Sequence, residues 1–136
     1  MPPKACAMGD FILENDLRKS ETGTMKTIFE KILDGEIPSE KVYEDDVCAA
    51  VRDINPQAPV HVLLFPRKPI ASVDAIGRDD SEIVAHLMLT VPKIAKSQGL
   101  EDGYRVVINN GALAGQTIEH LHLHILGGKR LGWPPC

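Results

Sequence analysis

Short apolar runs alternate along the chain with turn-rich polar stretches, and the spacing inside each run assigns its element. From Thr27 the segment TIFEKILDG sets Ile28, Phe29, Ile32 and Leu33 at helical spacing, with Thr27 placed to cap the start and Gly35 to stop it. EKVYED and VCAAVRD are brief β-prone runs that predict a hairpin turning at Asp45 and Asp46. After the turn-rich INPQAP, the continuous apolar run HVLLFP predicts a central strand that opens at His61 and ends at Pro66. DDSEIVAHLMLTVPKIAKSQGL puts Ile83, Leu87, Val91 and Ile94 on one stripe, the pattern of the main helix. Pro92 lies inside it; an interior proline removes a backbone bond and costs about 3 kcal/mol, so a kink or an early stop near Val91 is expected. YRVVIN and TIEHLHLHIL predict two more strands, joined by the loop NGALAGQ, and the tail GGKRLGWPPC is too rich in Gly and Pro for regular structure. Strands that follow one another through short turns, interrupted by two helices, predict an antiparallel sheet with the helices on one face, an α+β fold.

The length of 136 residues suits one domain, and a hydrophobic content of 43% fills one core. Residues 1–24 mix charges and prolines around a short apolar cluster; they are expected to form a flexible extension, leaving 25–136 as the folded domain. A net charge of -4 gives no basic field for the backbone of DNA or RNA, so nucleic acid is not an expected partner. A bound phosphate would have to be met locally by backbone N–H groups, hydroxyls and imidazoles. Cys6, Cys48 and Cys136 form no CxxC zinc pattern, no apolar run reaches the roughly 20 residues that span a bilayer, and the N-terminal segment lacks the apolar block expected of a secretory signal. A cytoplasmic protein is expected, with the nucleus as the alternative.

Chemistry enters with GQTIEHLHLHILGG, where His120, His122 and His124 alternate with Leu121, Leu123 and Ile125. Alternation at the period of a strand turns three imidazoles to one face and the aliphatic residues to the other. A zinc site is the competing reading, since imidazole is the commonest metal ligand. At a rise of roughly 3.3 Å per residue, however, His120 and His124 stand about 13 Å apart along the backbone. The nearest carboxylate in sequence, Glu119, should point the other way. No metal or other cofactor is expected. His86, alone on a helix, is given no function.

HLHLHIL resembles the HφHφHφφ signature (φ apolar) of the histidine-triad family, and the likeness extends through IFEKILDGEIPSEKVYEDD, DINPQAP, GYRVVINNG, AGQT and LHILGGKRLGWPP. These segments, in this order, are similar to the Hint branch over roughly Thr27 to Pro135. The resemblance implies a five-stranded antiparallel sheet with two helices per subunit, sheets joined across a homodimer, and one nucleotide site per subunit. It also implies a hydrolase that cleaves nucleoside 5'-phosphoramidates, such as those of AMP or GMP, through a nucleotidyl-histidine intermediate.

Carried over residue by residue, the resemblance makes His122 the nucleophile, one ring nitrogen donating to the His120 carbonyl. His124 would hydrogen-bond phosphate oxygen or the leaving group, His120 would support the strand, and His61 would line the site. His61 read from pattern alone is as readily a strand-end residue with its ring in water. Gly115, Gln116 and Thr117 form a phosphate cradle by position, Thr117 standing where the branch usually has serine and keeping the hydroxyl. Asp53 and Ile54 match positions that hold the ribose hydroxyls and flank the base, and Asn109 another ligand contact. Asp53 also reads as a turn residue ahead of Asn55 and Pro56. Ile28, Phe29 and Ile32 match the apolar wall of the base pocket and fit plain core equally well. Arg52 stands where relatives often carry histidine; its guanidinium is expected to lie against the base. Cys48 matches a family cysteine, with no zinc site expected around it. Two other functions remain open: hydrolysis of dinucleoside polyphosphates, and a non-catalytic nucleotide-binding scaffold dimer. Retention of His124, which the transferase relatives replace by glutamine, favours hydrolysis.

Overall fold

A computed structural model describes residues 26–136, so the expected extension lies outside the described residues. Helix α1 (Ile28–Leu33) begins at Thr27, whose side chain accepts the Glu30 N–H while the Glu30 carboxylate takes the Thr27 N–H, a reciprocal capping box. Strands β1 (Lys41–Glu44) and β2 (Cys48–Arg52) form the expected hairpin, and β3 (Val60–Pro66) follows, starting one residue before His61. Helix α2 (Ser81–Ser97), β4 (Tyr104–Val107) and β5 (Leu123–Gly127) complete the fold. The sheet is antiparallel in the order β1-β2-β3-β5-β4, which places β3 at its centre.

Side-chain alternation gives the sheet two apolar faces. Ala50, Val62, Leu64, Leu121, Leu123 and Ile125 pack against Leu87, Val91 and Ile94 of α2. Ala49, Val51, Leu63, Phe65 and Ile118 pack against Ile28, Phe29 and Ile32 of α1. The helices therefore cover opposite faces, where the sequence pattern had placed them on one. Strand connectivity cannot decide that point, because the face each helix takes follows from which side of β2 and β3 meets its apolar stripe.

Of the two outcomes expected at Pro92, a kink or an early stop, the early stop does not occur, and the helix runs through Pro92 to Ser97. Pro92 itself is exposed, while Val91, Ile94 and Ala95 on either side of it are buried in the core. Burial of those side chains offsets the backbone bond that the proline cannot make. The histidine strand is shorter than its pattern, since residues 117–122 precede the ladder of β5. There the backbone bonds elsewhere, the Leu121 N–H reaching the Ile70 carbonyl at 2.6 Å.

Candidate active site

Although only His124 lies within β5, the alternation persists through the extended segment before it. Leu121, Leu123 and Ile125 face α2, and the three imidazoles face α1. The Phe29 ring centroid is 5.5 Å from that of His120 and 4.9 Å from that of His122, and the His122 and His124 rings are 5.1 Å apart. His61 stands on the same face of β3 as Leu63, whose backbone pairs with His124. All four imidazoles are buried, with residue exposures of 0 to 3%. In so dry a setting each ring nitrogen needs a partner of the right kind, and the partners fix the tautomers.

A carbonyl oxygen only accepts, so His122 donates from Nδ1–H to the His120 carbonyl at 2.7 Å. The neutral ring then carries its lone pair on Nε2. His120 donates from Nε2–H to the Pro66 carbonyl at 2.8 Å, which leaves Nδ1 to accept from the Thr27 hydroxyl at 2.7 Å. Burial pushes the His120 pKa below the usual imidazole range, with the Pro66 carbonyl only partly opposing it, so this ring is neutral near pH 7. At His61 the Gln57 N–H donates to Nδ1 at 3.0 Å. Its proton therefore sits on Nε2 and is donated to His124 Nδ1 at 2.9 Å. His124 in turn holds its proton on Nε2. The network thus leaves a ring lone pair on His122 Nε2 and an N–H on His124 Nε2.

Asp53 closes this cluster from the β2–β3 turn, one carboxylate oxygen accepting the Asn55 N–H at 2.9 Å and the other lying 3.5 Å from His61 Nε2. Asp53 is thus a turn residue, as its place ahead of Asn55 and Pro56 suggested, and it also stands beside the histidines. Asp53, His61 and His124 offer ligand atoms within 4.8 Å of one another, so a carboxylate does stand near the histidines, contrary to the expectation drawn from Glu119. The Gln57 N–H decides against coordination by His61, because it commits Nδ1 as an acceptor and leaves a proton where an ion would sit. A second group, Asp45, Cys48 and His86, is equally close and was missed in the sequence, its members coming from the β1–β2 turn, β2 and α2. There Asp45 is saturated by the N–H groups of Val47 and Cys48, the Tyr43 hydroxyl and His86. Burial also pushes the Cys48 thiol up to about 11, which holds it protonated.

Of the other expected site residues, Ile28, Phe29 and Ile32 are core, Phe29 also forming the floor under His120 and His122. Ile54 is 69% exposed and open to a ligand, and Asn109 is half-buried just beyond β4. Gly115 ends a 3-10 turn at φ 92°, a conformation that favours glycine. The Gln116 amide is consumed in shaping that loop: it takes the Gly111 N–H and donates to the carbonyls of Ala71 and Ile118. Thr117 has a buried hydroxyl oxygen with no hydrogen-bond partner among the described residues, a feature suited to an incoming phosphate. The expectation for Arg52 fails. It alternates with Val51, so its side chain leaves the sheet on the face opposite the histidines, where Nε bonds Glu40 at 3.1 Å.

Comparison with known proteins agrees with this geometry. A family model for the HIT domain matches residues 34–131. An uncharacterized HIT-like protein of Synechocystis sp. (strain ATCC 27184 / PCC 6803 / Kazusa) is 54% identical, over 80% of this chain and 96% of its own. The structure of a HIT family hydrolase from Legionella pneumophila Philadelphia 1 superposes with a TM-score of 0.79 at 46% identity, covering 82% of this chain and all of that one. A histidine triad nucleotide-binding protein from Candida albicans aligns at 33% identity and a TM-score of 0.69, over 80% of this chain and 83% of its own. The chain belongs to the HIT-domain family.

Proposed function

We propose that this protein is a phosphoramidase of the Hint branch, hydrolysing purine nucleoside 5'-phosphoramidates to the nucleoside monophosphate and an amine. The observation that carries this reading is the 2.7 Å bond from His122 Nδ1–H to the His120 carbonyl, which places the lone pair of the neutral ring on Nε2, the atom that would attack. His122 Nε2 attacks phosphorus, and the P–N bond breaks with its electron pair going to the amine. The His124 Nε2–H supplies a hydrogen bond to the phosphoryl oxygens and a proton to the leaving nitrogen. Water then cleaves the phosphorus–Nε2 bond, returning the proton, restoring His122 and releasing the monophosphate. The buried Thr117 hydroxyl and the loop at Gly115 would hold the phosphate, with Asp53 and Ile54 toward the ribose and base. The hydrolase and the nucleotide-binding protein among the similar structures support the reaction class and the ligand class.

The test is incubation with adenosine 5'-phosphoramidate and, separately, with a dinucleoside polyphosphate, with and without a chelator, alongside His122→Ala. Expected is chelator-resistant AMP release from the phosphoramidate that falls at least about a thousandfold in the variant, as for loss of a covalent nucleophile. Preferential cleavage of the polyphosphate would move the reading to that neighbouring branch. Tight AMP binding without turnover of either would make the protein a scaffold.

A further inference from the structure

The hydroxyl of Thr27 is engaged twice. As the N-cap of α1 its oxygen accepts the Glu30 N–H at 3.2 Å, so its single proton is available elsewhere. That proton points to His120 Nδ1 at 2.7 Å. His120 lies in the irregular stretch before β5, outside the ladder, where the peptide bearing its carbonyl is tied by the Leu121 N–H to Ile70. Its ring adds two further ties, to the Pro66 carbonyl at the end of β3 and to Thr27 at the start of α1. The peptide carbonyl of this same residue accepts the His122 Nδ1–H.

We propose that Thr27 is a positioning residue for the nucleophile: by donating to His120 Nδ1 it locks the ring and tautomer of His120, and thereby holds the carbonyl that fixes His122 as the Nδ1–H tautomer. This rests on the reading of His122 as the nucleophile. Without the hydroxyl, His120 Nδ1 is a buried acceptor lacking its donor. The ring can then flip or change tautomer, releasing the Pro66 bond and loosening its own carbonyl. The first turn of α1 is thus a working part of the site, and the helix cap and the catalytic tautomer share one oxygen atom.

Three variants separate this role from helix capping. Thr27→Val keeps the shape and removes the hydroxyl, Thr27→Ser keeps the hydroxyl, and Glu30→Ala breaks the other half of the capping box while sparing the contact with His120. Thr27→Val is expected to lower kcat on adenosine 5'-phosphoramidate by about tenfold to a hundredfold with KM within twofold, in line with losing support to one catalytic group. Thr27→Ser should restore most of the rate, and Glu30→Ala should keep it despite a similar fall in Tm. Imidazole 15N NMR supplies a readout independent of substrate: wild type should show His120 as the Nε2–H and His122 as the Nδ1–H tautomer, and Thr27→Val should show mixed tautomers at both. Equal loss of rate in Glu30→Ala, or single unchanged tautomers in Thr27→Val, overturns the proposal. Inactivity of wild type with the tautomers as expected would sink the assigned reaction and leave the coupling standing.

Discussion

The Gln57 N–H sets the direction of the proton chain through His61 and His124, because an amide can only donate. His61 is accordingly a residue that aims His124, and the two ought to differ under substitution. His61→Ala is expected to lower kcat/KM by about tenfold, the His124 ring being present but unaimed, whereas His122→Ala removes the atom we propose as the attacking one. Rates of both variants on one phosphoramidate check this; equal loss in the two would place His61 on the reacting atoms. Much of this chemistry was legible in the sequence as alternation, since turning three imidazoles to one side needs only an extended backbone. Of the tautomers, only that of His122 was expected, through the His120 carbonyl and from the family resemblance. Those of His120 and His61 depend on Thr27, Gln57 and Pro66, which are 93, 4 and 54 positions from the rings they contact. The side of the sheet taken by Arg52 is, by contrast, a one-residue parity that the VCAAVRD run already contained.

At the scale of elements, the β1–β2 hairpin hangs on Asp45. Burial alone would push its carboxyl up, but hydrogen bonds from Tyr43, the Cys48 N–H, His86 and the Val47 N–H outweigh this and hold it well below the usual carboxylate range. A carboxylate depressed in the folded state stabilises above the unfolded value of about 3.9, and that contribution is lost as pH falls further toward the folded value. Asp45→Ala is therefore expected to cost about 3 kcal/mol at pH 7, mainly by leaving the two turn N–H groups without their acceptor. Its deficit relative to wild type should shrink below about pH 4, where the wild-type carboxylate begins to lose its advantage. Urea denaturation across pH checks it, and a deficit constant down to pH 2 would contradict the electrostatic origin. The hairpin itself was legible from β-prone runs flanking Asp45 and Asp46, as was the cap of α1. What misled was local accounting: Pro92 counts against a helix until Val91 and Ile94 are seen buried on its neighbouring turns, and residues 117–122 read as strand although Leu121 bonds Ile70.

For the whole molecule, β4 is an edge strand bonded among the described residues to β5 alone, and such an edge invites pairing with another chain. Exposed apolar side chains also occur on α2, Leu89 and Met88 being 70% and 50% exposed. Both features fit the homodimer with joined sheets implied by the resemblance, which we propose as the assembly. The tail after Gly128 contributes little to its own core: Arg105 of β4 donates to the Gly132 carbonyl at 2.6 Å and lies 5.8 Å from the centre of the Trp133 ring, which is itself 81% exposed. A tail tied to the edge strand with its largest side chain uncovered is placed to reach a neighbour across that edge. Truncation after Gly128 is therefore expected to shift Tm only slightly and to keep a dimer by analytical ultracentrifugation. It should nevertheless change the ratio of kcat/KM between adenosine and guanosine phosphoramidates, because each tail would shape the partner's site. An unchanged ratio in a dimeric, folded truncation would show that the tail stays on its own subunit, and a monomer in the full-length chain would remove the assembly altogether.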